Sequence, residues 1–406
     1  MHTKHRLLVG LCCMAAGAAA GCGGSNSAGG SGGSGAATGG DVGTGGSGMA
    51  TGGSNGTGGQ GTGGHGQGTG GRGTGGAATG GMTGTGGMAA TGGTTGVGGS
   101  GNSGTVGSIG GCQIFPADNP WNQDVSALSL NSMGSTYLAN MHTSTKLHPD
   151  WGDYAAQKDY YGIPFSSGTG AALVPVTFTE SADESDKNPC PSGGGQFCYP
   201  IPLTSEIEGG TSGGDRHVLY IDTAGAPMNC TLYELYGAKV SGSGWSASSG
   251  AIFHLGSDAL RPDGWTSADA AGLPILPGLV RFDETVNQKV ITHAIRFTIN
   301  SSQNAYIHPA THAAGDDNTS LPPMGLRLRL KASFDTSGFS GPSLVILTAM
   351  KKYGIILADN GSDWYISGES NDAWVPYMDQ LSTDMGKVKG SDFEVVDTGP
   401  VSTAGL

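Results

Sequence analysis

Residues 23–111 are roughly half glycine, most of the remainder is serine, threonine and alanine, and Thr-Gly-Gly recurs throughout. No other feature restricts the fold of this 406-residue chain as much. Such a stretch has almost nothing to bury, so it cannot offset the backbone entropy lost on folding. Collagen is excluded, because there is no Gly-X-Y register and no proline between residues 23 and 111. The segment therefore reads as a disordered tether with a root-mean-square reach of about 50 Å. Any folded core has to come from residues 112–406.

The first residues explain why a tether is needed. His2, Lys4, His5 and Arg6 precede an apolar run from Leu7 to Ala20, the pattern of a secretory signal and too short to span a bilayer. Ala19-Ala20-Gly21-Cys22 resembles the lipobox of bacterial lipoproteins, with Ala19 where leucine is usual. The resemblance implies cleavage before Cys22, lipid attachment to that cysteine and, with Gly23 following it, sorting to the outer membrane and cell surface. An ordinary signal peptide cut near Ala20 is the alternative. The organisation expected is a signal peptide over 1–21, a lipidated Cys22 opening a tether over 22–111, and a single globular domain over 112–406.

Charge narrows the partners. The first 111 residues hold only Lys4, Arg6, Arg72 and Asp41 among fully charged side chains, so the domain carries 16 basic and 31 acidic residues, a net charge of −15. That field repels phosphate backbones and anionic lipids, which excludes nucleic-acid binding and adsorption through a basic patch. Membrane attachment is expected through the N-terminal lipid alone. Of seven cysteines, Cys12 and Cys13 leave with the signal and Cys22 is the lipidation site. Cys112, Cys190, Cys198 and Cys230 remain, an even number in an exported domain, so two disulfides are expected. Three pairings exist; Cys190 with Cys198, across a short Gly-rich loop, and Cys112 with Cys230 are favoured. No CxxC spacing supports a cysteine metal cluster.

The domain reads as mainly β. Residues 173–179, 217–222, 230–236 and 251–255 are rich in β-branched and aromatic residues and bounded by Gly, Asp, Ser and Pro. Residues 290–299 alternate in part. Residues 324–334 alternate cleanly, with Arg327, Arg329 and Lys331 on one face and leucines on the other. Helical patterns are confined to 132–141, 342–353 and 372–385, with short strands at 355–358 and 364–367. An antiparallel β-sandwich or jelly-roll-like domain with a few decorating helices is the expected class.

No nucleophile elbow, HExxH, P-loop or dinucleotide-binding glycine pattern is present. His308 and His312 read as loop histidines, because Pro309 argues against one helical face. Asp359-Asn-Gly-Ser-Asp363 lacks the bidentate glutamate of a calcium loop and reads as a tight turn between the late strands. Neither a metal nor a cofactor is called for. The suggestive cluster lies between residues 206 and 296: Glu208, Asp215, His217, His254, Asp269, Asp283, Glu284, His293 and Arg296. Carboxylates near histidines and an arginine are the groups needed for glycoside hydrolysis, or for β-elimination from a uronic acid. Trp265, in a long loop beside Asp269, and Trp364 are candidate stacking platforms for sugar rings.

Phrases spread along the domain, among them Ile114-Phe-Pro-Ala-Asp-Asn-Pro-Trp121, Asp215-Arg-His-Val218, Leu232-Tyr-Glu-Leu-Tyr236 and Leu321-Pro-Pro-Met-Gly-Leu-Arg-Leu-Arg329, resemble a group of exported bacterial proteins without a named function. The resemblance implies one coherent domain and no activity. The expectation is a surface-tethered, disulfide-stabilised domain acting on extracellular polysaccharide as a hydrolase or lyase. The rivals are a non-catalytic glycan-binding or adhesion lipoprotein and a structural envelope protein.

Overall fold

Fourteen strands and three α-helices form among the residues that the computed structural model describes, 107–152, 162–210 and 213–406. Cys22, the signal segment and most of the tether lie outside the described residues. In chain order the strands are β1 (His148–Asp150), β2 (Phe165–Gly168), β3 (Val174–Phe178), β4 (Cys198–Tyr199), β5 (Val218–Asp222), β6 (Thr231–Tyr236) and β7 (Lys239–Ser241). They continue as β8 (Gly244–Ala247), β9 (Ser249–His254), β10 (Ile295–Ile299), β11 (Arg327–Leu330), β12 (Ile355–Asn360), β13 (Tyr365–Ser367) and β14 (Phe393–Val395). The helices are α1 (Gly134–Ala139), α2 (Gly341–Lys352) and α3 (Met378–Met385). The class is mainly β, as the residue patterns require.

The strands build three sheets of mixed direction. The largest has the order β1-β13-β10-β12-β11-β14, the second β2-β5-β6-β9, and the third β4-β3-β8-β7. Pairs β1–β13, β10–β12, β2–β5 and β3–β8 are parallel. The Asn360-Gly361 turn does not close a hairpin, because β10 inserts between β12 and β13 and pairs with both. A parallel central strand is covered on both faces, which is why Ile355-Ile-Leu-Ala358 is apolar throughout and buried.

Strand β5 shows how the second sheet is used. Val218 and Tyr220 turn towards a small core with Val176, Tyr199, Leu235 and Trp245, while Leu219 and Ile221 join the main core. Alternation along a strand sends successive side chains to opposite faces, so this sheet has a core on each side. Helix α2 packs against β11. Pro342 sits in its first turn, Lys351 and Lys352 in its last, and Gly354 follows at φ +74°. A β-carbon on Gly354 would lie 2.2 Å from the Leu328 carbonyl oxygen, so only glycine ends the helix this way.

Both favoured disulfides are present, Cys112–Cys230 and Cys190–Cys198. They belong to an oxidising compartment, extracellular or periplasmic. No helix among the described residues is long and apolar enough to cross a membrane. Arg327 departs from the alternation expected of a solvated face. It is buried, and its guanidinium donates to the carbonyls of Tyr353, Pro120 and Gln123.

Candidate functional site

Two sheets meet at one concentration of charge. From the largest sheet, neighbouring strands β1, β13, β10 and β12 contribute Asp150, Ser367, Arg296 and Asp359, with Asp150 directly opposite Ser367. The β10–β12 register slips after Phe297, so that Leu357 pairs with Phe297 and Asp359 with Thr298. The extra residue, Ala358, reverses the side-chain alternation of β12 and brings Asp359 to the face that carries Arg296. The loop of residues 262–277 delivers Asp269 to the same face. From the second sheet come Glu208, Asp215 and His217, on the segment leading into β5.

Arg296 is the hub. Its Nε and Nη2 donate to the two oxygens of Asp269 at 2.9 and 3.0 Å, Nη1 donates to Ser367 Oγ at 2.7 Å, and Nη2 also reaches Asp359 at 3.4 Å. Gly278 makes room for it: a β-carbon there would fall 2.8 Å from Arg296 Cβ and 2.7 Å from the Trp121 ring. Burial opposes charge on Arg296, but Asp269 and then Asp359 outweigh it and keep the guanidinium firmly protonated.

His217 is held at both nitrogens. Nδ1 lies 2.6 Å from Glu208 Oε2, and Nε2 donates to the Ala268 carbonyl at 3.0 Å. The carbonyl can only accept, which sets Nε2 as a donor. Burial opposes charge on the ring, yet Glu208 and then Asp215 overcome it and push the pKa up to about 9. Burial also opposes the Glu208 carboxylate, but His217 outweighs it and lowers its pKa. Arg216, between Asp215 and His217, has φ +57° and anchors the turn by donating to the Gly210 and Ala238 carbonyls.

Several acids stand near these two cations. Burial, with Glu208 and Asp215 beside it, pushes Asp150 up to about 6 against the pull of Arg296. Burial, with Asp269 beside it, pushes Asp359 up to about 7, again against Arg296. Tyr236, its ring centroid 5.6 Å from that of His217, is pushed up to about 12 by burial and then by Asp215 and Asp359. Behind the site, fully buried Glu234 accepts the backbone N–H groups of Ile275 and Leu276. The arrangement places carboxyl groups of different proton affinity around common space, which is what acid–base chemistry needs.

Five of the nine candidates thus converge: Glu208, Asp215, His217, Asp269 and Arg296. The other four do not join them. Glu284 and His293 form a second buried group with Arg281, at 2.6 Å from Arg281 Nη2 to Glu284 and 3.0 Å from His293 Nε2 to Glu284. Asp283 is exposed and accepts from Asn287 and Gln288. His254 is exposed at the end of β9 that pairs with Thr231, the far end of the sheet from His217. Trp364 is fully buried in the main core, donating to the Met141 carbonyl, whereas Trp265 is half-buried with the Arg261 guanidinium 5.7 Å from its ring. His308 and His312 are loop histidines, on Asp263 and the Ala270 carbonyl.

Asp150 and Asp359 are the members that pattern reading misses. Asp150 ends a three-residue strand with no periodicity, and Asp359 reaches the site only through the slip in register. Among the described residues, the donors able to hold a metal ion together are Glu208, Asp215 and His217, whose ligand atoms all lie within 4.8 Å of one another. No family model, curated protein or solved structure matches this chain.

Proposed function

We propose that the domain hydrolyses a neutral extracellular polysaccharide while tethered through lipidated Cys22 to the cell envelope. The observation that carries the reading is the gathering of Asp150, Glu208, Asp215, Asp269 and Asp359 around Arg296 and His217. Asp359 is the proton donor: it is partly open to solvent, and its raised proton affinity keeps a proton available near neutral pH. It passes that proton to the glycosidic oxygen as the C–O bond breaks. A water held by Glu208 or Asp215 attacks the anomeric carbon and loses a proton to that carboxylate.

Charge favours hydrolysis over β-elimination. Arg296 is bound to Asp269, Ser367 and Asp359, and His217 to Glu208 and Ala268, so a uronate carboxylate would meet surplus negative charge. A purely glycan-binding role has less support, since five of the six tryptophans are fully buried and only Trp265 is partly open.

The test is release of reducing ends by the purified protein across neutral glucans, mannans, xylans and chitin, with uronate polymers alongside. Turnover of a neutral polymer that falls about 100- to 10,000-fold in Asp359→Asn is the expected result. Unsaturated products would replace the hydrolase by a lyase, and retention without turnover would make the domain a binding module. Metabolic lipid labelling that disappears in Cys22→Ser tests the anchor.

A further inference from the structure

We propose that Glu208, Asp215 and His217, with Asp150 beside them, form a binding site for one divalent first-row transition cation, Zn2+ or Mn2+. This goes beyond the hydrolase reading, because the cation binds whether or not a glycan is present. Three observations support it. The ligand atoms of Glu208, Asp215 and His217 already lie within 4.8 Å of one another. Bonds of about 2.1 Å to one cation place neighbouring ligand atoms roughly 3.0–3.4 Å apart, so small side-chain rotations suffice.

The second observation is the orientation of the ring. His217 Nε2 is tied to the Ala268 carbonyl at 3.0 Å, which directs Nδ1 towards the carboxylates. A histidine whose far nitrogen donates to a carbonyl is oriented as metal-binding histidines are. The third is Asp150. It is half-buried beside Glu208, Asp215 and Arg296, and its charge adds to that of the two carboxylates. A carboxylate in that position needs a counter-charge, and Arg296 is occupied by Asp269. Two carboxylates and a single imidazole suit a cation that accepts both oxygen and nitrogen, whereas Ca2+ and Mg2+ take oxygen shells. Exposure falls from Asp215 through Glu208 to His217, so the cation has a route in from solvent. On binding it displaces the proton between Nδ1 and Glu208, which leaves to solvent.

The experiment is isothermal titration of tag-free, chelator-stripped protein with ZnCl2 and with MnCl2, CaCl2 serving as the comparison, and thermal melting in parallel. One saturable site for Zn2+ or Mn2+, weaker for Ca2+, with a raised melting temperature, is expected. Asp215→Asn and Glu208→Gln should each weaken it about tenfold or more, and Asp215→Asn, at an exposed position, should leave the melting temperature unchanged when no cation is added. Asp283→Asn, an exposed carboxylate outside the cluster, should bind as the parent does. Absence of a saturable site for either metal overturns the proposal, as does undiminished binding in both cluster variants. Cation uptake without turnover of any glycan leaves this site standing and removes the hydrolase reading; turnover that survives complete chelation, without saturable uptake, does the reverse.

Discussion

Arg296 grips Asp269 through two parallel hydrogen bonds, at 2.9 and 3.0 Å, with both side chains buried. The pair joins β10 to the 262–277 loop. Removing one partner leaves an uncompensated buried charge, which costs about 3–5 kcal/mol. Asp269→Asn should therefore lower unfolding stability by that order in urea. Arg296→Met combined with Asp269→Leu should recover a large part of the loss.

Asp359 gives the proposed reaction its pH dependence. The carboxyl is pushed up to about 7, so the proton donor is loaded below that pH and lost above it. The dependence of kcat/KM on pH should show an alkaline limb near 7. In Asp359→Asn the residual rate should lack that limb; an unchanged limb would assign the acid to another group.

Glu234 couples stability to pH independently of any substrate. Burial, partly offset by the backbone N–H groups of Leu276 and Ile275, pushes its carboxyl up from 4.5 to about 7. Between those values the folded state keeps a proton that the unfolded chain has released, so stability falls as pH rises across the window. The full contribution is on the order of 3 kcal/mol. Urea midpoints measured from pH 4.5 to 8 should decline less steeply in Glu234→Gln.

The two disulfides should contribute unequally. Cys112–Cys230 spans 118 residues and Cys190–Cys198 spans 8. Loop-closure entropy assigns about 5 kcal/mol to the first and about 2.5 kcal/mol to the second. Replacing Cys112 and Cys230 by serine should lower the urea midpoint about twice as far as replacing Cys190 and Cys198.

Trp364 belongs to the core rather than to a sugar platform. Its ring packs against Phe297 and Phe393 at centroid distances of 5.8 and 5.5 Å. Trp364→Ala should cost about 3–5 kcal/mol in chemical denaturation. Trp265→Ala, at a half-buried position, should cost less and is the variant to test for weakened polysaccharide retention.

Much of the fold was legible along the chain because its causes are local. The β-branched runs at 217–222 and 230–236 became β5 and β6, and Pro342 to Tyr353 became the body of α2. Short elements escaped: β1 and β4 have too few residues to show a period, and they exist because neighbouring strands pair with them. The site was half legible. Glu208, Asp215 and His217 crowd together within ten residues of sequence, and Asp269 and Arg296 are charges set in apolar surroundings. The same signal flagged Glu284 and His293, since a buried ion pair that stabilises a loop has the same composition as one that does chemistry.

What the sequence determines by itself is what depends on composition and short-range pattern: residues 112–406 contain a core built mainly of strands, and four cysteines lie within them. The tertiary structure alone decided which charges meet. Asp150 and Asp359 lie more than 200 residues apart and reach Arg296 because β10 inserts between β12 and β13 and one extra residue in β12 turns Asp359 to the opposite face. Side-chain alternation has a period of two, so a single added residue moves a carboxylate across the sheet. That displacement is a property of strand pairing, and a linear reading of the chain does not contain it.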